Sequence, residues 1–293
     1  AAHQREVLTI EKEERPGRKV CADGLSRRSL ALGLIPPEFH QKEFRSILLR
    51  KGGRETLLRS QEPLVTIFDR VGYSGWMMDR AADRGAGFRL GSEIVDLDLK
   101  ERSITDRSGE VTRFTHLIGA DGARSLVRSA LGLPERFMDC YQYRHPEELE
   151  RLEWGATIGE LAEGDYYSFP HDGYTKMGFG RMRGAMAGTR PADFEKYWRG
   201  RGVSLSRSNM ECWPLQLAFE GIRFGNVFLV GDAAGLASEV TGEGIYQALV
   251  SGKDVGDCIV GSSTLERTCR LVRVRPGRTG SPGHKGSFAG PTH

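Results

Sequence analysis

The sequence predicts an α/β protein, a domain of parallel strands alternating with helices that is interrupted by a second domain of antiparallel strands. Three observations predict it. Short apolar runs at 7–11, 116–120 and 227–230 each end near an acid or an Asp-Gly or Gly-Asp pair, and the last two lead into helical spacing. From Pro134 to about Arg223 aromatic residues become frequent, and pieces such as Tyr174–Gly180 alternate as antiparallel strands do. Over 227–256 the strand–loop–helix style of the first part returns. The expected division is 1–133 for the first part of the sheet domain, 134–222 for the insertion, 223–261 for the returning strand, loop and helix, and 262–293 for a disordered basic tail rich in Gly and Pro.

Taken in order, Val7–Glu11 predicts a short buried strand ending in an acid. A Cys-Ala-Asp-Gly turn follows, then a helical pattern on Leu25, Leu30 and Leu32. Residues 64–68 predict another strand, ending at Asp69-Arg70, and 74–84 a helix broken by Gly85 and Gly87. Three short strands are expected at 93–99, 103–106 and 111–114, with Ser108-Gly109 as a turn. Residues 116–120 predict one more buried strand, and the helix after Asp121-Gly122 carries Leu126, Ala130 and Leu131 on one side. The end of the chain differs: 276–293 hold three Pro and five Gly, with Phe288 the one aromatic, too little apolar surface to offset chain entropy.

The chain has 293 residues, 39% of them hydrophobic, which suffices for a substantial core. No run approaches the roughly 18 apolar residues of a membrane span, and no charged-then-apolar signal peptide opens the chain. A cytoplasmic protein is expected, and peripheral contact with a membrane surface remains compatible. The net charge of +3 is misleading, because residues 262–293 carry six Lys/Arg and one acid while 1–261 carry 36 basic against 38 acidic residues. The folded part is therefore not a nucleic-acid binder by composition. Cys21, Cys140, Cys212, Cys258 and Cys269 form an odd, scattered set without a Cys-x-x-Cys pair, as expected of reduced thiols. The seven histidines lack metal-ligand spacing, so no metal is expected.

One stretch carries chemistry. In "VFLVGDAAGLASEVTGEGIYQAL" a buried strand ends at Asp232, glycines follow at 235, 242 and 244, and a helix begins. Helix starts expose N–H groups that favour anions and electron-rich oxygens. Glycine permits close approach of a ligand, and a carboxylate at a strand tip can accept hydrogen bonds from sugar or ribityl hydroxyls. Ala248 and Gly252, four apart, would let the helix pack closely on a sheet. The segment is suited to hold a polyol-bearing ligand at the carboxyl edge of a parallel sheet.

This segment resembles the GDAAG…GEGI region of the geranylgeranyl reductase family of FAD-dependent oxidoreductases, within the flavin-hydroxylase-like group. The resemblance extends over about 1–132 and 223–261, and it implies a Rossmann-like FAD-binding domain with an inserted antiparallel-sheet α+β substrate domain. By position it implies that Asp232 binds the ribityl chain and that Gly244 and Ile245 lie at the flavin pyrimidine edge. "VLTIEK" resembles the second strand of the dinucleotide fold, whose terminal acid, here Glu11, takes ribose hydroxyls. "CADGLS" resembles the family's turn beside the flavin, giving Cys21, Ala22 and Gly24. "IGADGARSLVR" resembles the Asp-Gly motif, giving Asp121 and Gly122. The intervening segments imply Arg70 for the diphosphate and Ile94 for adenine. Cys21 is the candidate catalytic residue, as proton donor or substrate gate.

The chain departs from that pattern in places. It shows no GxGxxG loop and opens like the end of a first helix, so the resemblance implies that roughly 25–30 residues of the dinucleotide fold are missing and that the chain as given binds FAD weakly or not at all. Glu239 stands where the family usually has Pro. "DYYSFP" stands for the family's Tyr-x-Trp-x-Phe-Pro strand, with Tyr167 for the Trp and Phe169-Pro170 kept. Tyr166, Tyr167, Phe169, Trp213, Pro214 and Leu215 are expected to wall the substrate, Tyr167, Phe169 and Trp213 foremost.

The activity implied is hydride transfer from FAD to isoprenoid C=C bonds of a prenylated lipid or quinone-like substrate, with NAD(P)H or ferredoxin as electron donor. Two alternatives stand beside it: a flavin-dependent monooxygenase, which shares the Asp-Gly and GDAAG-type motifs, and a non-catalytic fragment of such an enzyme.

Overall fold

The structure is a computed structural model and describes residues 5–149, 156–161, 164–186 and 188–273. Its main feature is a seven-stranded sheet in the order Met210–Gln216, Phe137–His145, Tyr174–Met182, Gly164–His171, Ala156–Leu161, Ser46–Lys51, Arg54–Arg59. All neighbours pair antiparallel except Ala156–Leu161 and Ser46–Lys51, which run parallel. The sheet thus draws two strands, the Ser46–Lys51 and Arg54–Arg59 hairpin, from upstream of position 134. They turn at Gly52-Gly53, both with positive φ, the backbone that a two-residue hairpin requires.

Alternation divides the faces of this sheet. Tyr143, Met177, Phe179 and Tyr166 point to one side, where the helix Pro191–Arg199 covers them with Phe194 and Trp198, both fully buried. The opposite face carries Met138, Cys140 and Gln142 on one strand, Lys176, Gly178 and Gly180 on the next, and Tyr167, Phe169 and His171 on the third, as the register requires. Trp213 and Leu215 extend that face, lying opposite Cys140 and Met138.

Among the described residues four small sheets accompany the large one. Leu8–Ile10 pairs parallel with Gly87–Arg89, and Leu117–Gly119 pairs parallel with Val227–Leu229, which also meets Arg223–Phe224. Ile94–Asp98, Ser103–Asp106 and Val111–Arg113 form an antiparallel meander with its turn at Gly109. The fourth sheet is also antiparallel, with Val65–Phe68 between Gly24–Ser26 and His40–Phe44.

Several elements differ from expectation. Leu8 is 42% exposed and Ile118 43%, because each lies on a strand at the edge of its sheet. The first residues after the Cys-Ala-Asp-Gly turn form the strand Gly24–Ser26 and only then a short helix, Arg27–Leu30. The helix expected from 74 begins at Arg70, since Asp69 caps it by accepting the Gly72 N–H, and Gly87 opens a strand. On the helix Leu126–Ala130 the buried side chains are Val127 and Arg128, with Ala130 exposed. On the helix Ile245–Ile259 Gly252 is exposed; Val250, Ser251, Asp254 and Val255 face inward, and Ala248 packs on Gly231.

The tail beginning at 262 is ordered through Arg273, where Glu266–Arg273 is helical. Leu265 enters the cluster of Ile222, Phe228 and Val255, and the Asp254 carboxylate accepts from the backbone N–H and hydroxyl of Thr268. The Gly/Pro-rich stretch 276–293 lies outside the described residues. Among the described residues no helix is long and apolar enough to cross a membrane, and no group of His, Cys, Asp or Glu could hold a metal ion.

Candidate functional site

The strand Val227–Leu229 is fully buried. Beyond it the chain turns through Gly231, whose N–H donates to the Ser251 hydroxyl at 3.0 Å, and presents Asp232, 8% exposed. Gly235 has φ +75°, and a Cβ there would come within 2.3 Å of the Ala218 carbonyl oxygen, so only glycine fits. The loop returns at Gly244, the N-cap of the helix Ile245–Ile259, and no side chain caps that helix. A Cβ on Gly244 would lie 3.2 Å from Asp232 Oδ1. The carboxylate therefore stands directly beside a helix start whose first N–H groups have no side-chain acceptor.

Three distant segments converge on this loop. Lys19, two residues before Cys21, forms an ion pair with Asp232. Glu243, between the two glycines, accepts from the Ser26 hydroxyl and, at 3.3 Å, from that of Ser29. Arg128, fully buried, donates to the carbonyls of Ala233 at 3.2 Å, Ala218 at 2.6 Å and Pro134 at 2.5 Å. Burial pushes its guanidinium pKa down, and three carbonyl acceptors compensate it.

The Cys21 turn meets the open face of the large sheet. Phe169 packs where Gly24 has no side chain, since a Cβ there would fall 2.8 Å from the ring. The Lys176 ammonium donates to the Cys21 carbonyl at 2.9 Å and pairs with Asp23. Tyr167 donates to Gln142 Oε1 at 2.7 Å and stacks at a tilt on Phe169, 5.3 Å between centroids. Burial raises the Tyr167 phenol pKa well above its usual range, and nearby Cys21 and Cys140 push it the same way. Burial also lifts the Cys140 thiol to about 12, with Lys19 and Asp232 close enough to act on it.

Asp232, Gly244, Ile245, Cys21, Ala22, Gly24, Tyr167 and Phe169 thus belong to one connected region. Ala22 packs with Phe169, and Ile245 with Leu25 and Phe68. Trp213 shares the sheet face beside Cys140. Tyr166 does not face this region: it lies in the core under the helix Pro191–Arg199. Pro214 lies opposite Asp139 and points away from the Trp213 side, because neighbours along a strand alternate.

The remaining predicted residues lie on other elements of the fold. Glu11 follows the strand Leu8–Ile10 and accepts the Glu13 N–H at 3.0 Å. Ile94 opens a strand of the meander. The Asp121 carboxylate accepts the N–H groups of Leu126, at 2.7 Å, and Val127, so it caps that helix, and Gly122 turns with φ +79°. Arg70 opens its helix with a buried Nε that has no hydrogen-bond partner among the described residues. An orphaned guanidinium nitrogen of that kind suits an anionic group. Together with the helix start beside Asp232, it makes the residues present compatible with a dinucleotide bearing a polyol.

No family model matches the chain. It is similar to digeranylgeranylglycerophospholipid reductase 2 of Methanothermobacter thermautotrophicus, 27% identical over 278 residues that span 86% of this chain and 70% of that one. It is also similar to the menaquinone reductase of Mycolicibacterium smegmatis, 26% identical over 291 residues and spanning 85% and 69%. Among solved structures, a geranylgeranyl bacteriochlorophyll reductase-like protein of Thermoplasma acidophilum superposes with a TM-score of 0.72 at 20% identity, covering 92% of this chain and 76% of that one. The chain is thus similar to proteins named as geranylgeranyl and menaquinone reductases, and it shares the fold of FAD-dependent oxidoreductases. A probable FAD-dependent monooxygenase of Pseudomonas aeruginosa shares the fold as well, with a TM-score of 0.64 at 14% identity and coverage of 92% and 84%.

Lys19, Ser26, Arg128, Gln142, Lys176 and Glu243 join this connected region and were not singled out by sequence reasoning. Three had a signal: Ser26 closes the Cys-Ala-Asp-Gly-Leu-Ser segment, Glu243 lies inside the Gly-Glu-Gly motif, and Arg128 stands seven residues after Asp121 in the Asp-Gly segment. Lys19, Gln142 and Lys176 sit in no motif, and only the sheet register brings the last two to the Cys21 turn.

Proposed function

We propose that this chain is a flavin-dependent reductase that saturates C=C bonds of isoprenoid chains on a lipid or quinone-like substrate. One observation carries the reading: the Asp232–Gly244 helix start, the Cys21 turn and the sheet face of Tyr167, Phe169 and Trp213 form one connected region. Bound FAD would supply a hydride to one alkene carbon, its electrons coming from NAD(P)H or ferredoxin.

The chain's residues would do the rest. Asp232 would accept hydrogen bonds from the ribityl hydroxyls, and the uncapped amides after Gly244 would favour negative charge at the ring edge. Glu11 would take ribose hydroxyls, Arg70 the diphosphate, and Ile94 the adenine by its backbone. Asp121 and Gly122 would support these contacts through the helix at Leu126. An isolated alkene has no carbonyl to stabilise charge, so water must be kept out and the bond held close. Phe169, Tyr167 and Trp213 provide that apolar wall. Cys21 would donate the proton to the neighbouring carbon as its S–H bond breaks, and its thiolate would recover a proton from solvent.

The test is a titration of the purified chain with FAD followed by anaerobic turnover. The expected result is weak FAD binding, a flavin spectrum that appears at high FAD and that Asp232→Ala abolishes, with a geranylgeranyl lipid gaining two hydrogens per reduced bond. Oxygen-dependent consumption of NAD(P)H with a hydroxylated product, or a chain that stays colourless with excess FAD, would overturn it.

A further inference from the structure

We propose that Lys176 is a positioning residue for Cys21: reaching out of the large sheet, it clamps the Cys21–Gly24 turn in a conformation the turn would not hold alone. This rests on the reading of Cys21 as the group beside the reacting bond. Asp23 has φ +56°, the left-handed region that residues with a Cβ disfavour and that Asp enters with the help of a side-chain hydrogen bond. Its carboxylate pairs with the Lys176 ammonium, the two side chains being 13% and 16% exposed. The same ammonium donates to the Cys21 carbonyl at 2.9 Å. Lys176 is thus bonded to both the start and the middle of the turn.

Inside the turn the Asp23 N–H donates to Cys21 Sγ at 3.3 Å, which fixes where the thiol points. The clamp is itself immobilised: Lys176 lies in register between Phe169 and Arg144 on neighbouring strands. Phe169 presses on Gly24 at the far end of the turn. The sheet therefore dictates the thiol direction through one ammonium and one ring. A change at position 176 should reach Cys21 without altering Asp232, Gly244 or Ile245.

The experiment measures iodoacetamide alkylation of the purified full chain over time, site by site, by peptide mass spectrometry. Lys176→Met is expected to raise the Cys21 rate about tenfold, the scale set by the cost of a left-handed L-residue, while Cys258 reacts at the native rate. In the double variant with Asp23→Gly the rate is expected to return to within about twofold of native, since glycine holds that backbone unaided. A native Cys21 rate in Lys176→Met, or a double variant as reactive as the single, would overturn the clamp. If Lys176→Met unfolds, shown by equal acceleration at half-buried Cys140, then Lys176→Arg and Asp23→Asn decide. The Arg variant should keep the native rate and the Asn variant should accelerate Cys21 alone; the opposite pattern would overturn the clamp. Cys21→Ser in the FAD-loaded chain tests the underlying reading separately, because full alkene turnover there would remove the catalytic role of Cys21 and leave the alkylation result standing.

Discussion

The seven-stranded sheet and the small sheet that carries Asp232 hold their strands by different means. In the large sheet Phe137–His145 and Tyr174–Met182 pair over eight residues, and each has a partner on its other side too. Below them lie Phe194, Trp198, Tyr166 and Phe179, all at most 2% exposed. The strand before Asp232 is three residues long, and its partner, Leu117–Gly119, is an edge with Ile118 in solvent. What fixes the loop beyond it is a set of single side chains: Lys19, Arg128, Ser251 and Glu243. Packing spreads over many contacts and fails as a unit. Individual pins fail one at a time, so the loop can be disturbed while the sheet stands.

The largest expected effect strikes the sheet. Phe194→Ala removes a fully buried ring from the aromatic cluster and should cost about 3–5 kcal/mol of unfolding free energy, read by urea denaturation. A loss below about 1 kcal/mol would mean that this cluster is not the stability centre. Next, Arg128→Met should cost about 2–3 kcal/mol, because it leaves the buried Ala233 carbonyl and the part-buried carbonyls of Ala218 and Pro134 without this donor. It should also weaken FAD binding, whereas Phe194→Ala should leave the affinity of the folded fraction unchanged. If both variants weakened FAD alike, the contrast between sheet and loop would collapse.

The smallest effect is a pH dependence at the rim of the open face. Burial first, then the charge of Lys176, lowers His171 to about 4, from an ordinary value of about 6.5. A depressed histidine is neutral when folded, and unfolding takes up a proton. Its contribution to stability is therefore complete above about pH 6.5 and is lost as pH falls toward 4. His171→Phe should flatten the stability profile across that window. An unchanged slope would show that other groups cause the acid loss.

What could be read in the sequence follows from how local each feature is. The meander at 94–113 was legible because alternation and Ser108-Gly109 act within a few residues. The strand–loop–helix around Asp232 was legible for the same reason, and a family resemblance gave it a ligand. The face of the helix Leu126–Ala130 was misread because Arg128 counts as polar, yet its three carbonyl partners bring it fully inside. The Ser46–Lys51 and Arg54–Arg59 hairpin had a local signal in Gly52-Gly53, flanked by apolar runs, but its place beside Ala156–Leu161 is a pairing across a hundred residues. Tyr166 and Tyr167 show the limit most plainly: adjacent in sequence, they serve opposite faces, and only the position of the covering helix tells which face is core.

The hydrogen bond between Ser26 and Glu243 ties the near beginning of the chain to its last third. A nascent chain leaving the ribosome can pair Gly24–Ser26 with Val65–Phe68 early, yet the seat beside Asp232 cannot close until residue 243 has emerged. Synthesis at about 5–20 residues per second leaves Leu117–Gly119 without its late partner, Val227–Leu229, for many seconds. Chaperone binding during translation should therefore concentrate in that interval and end when the Gly-Glu-Gly segment appears.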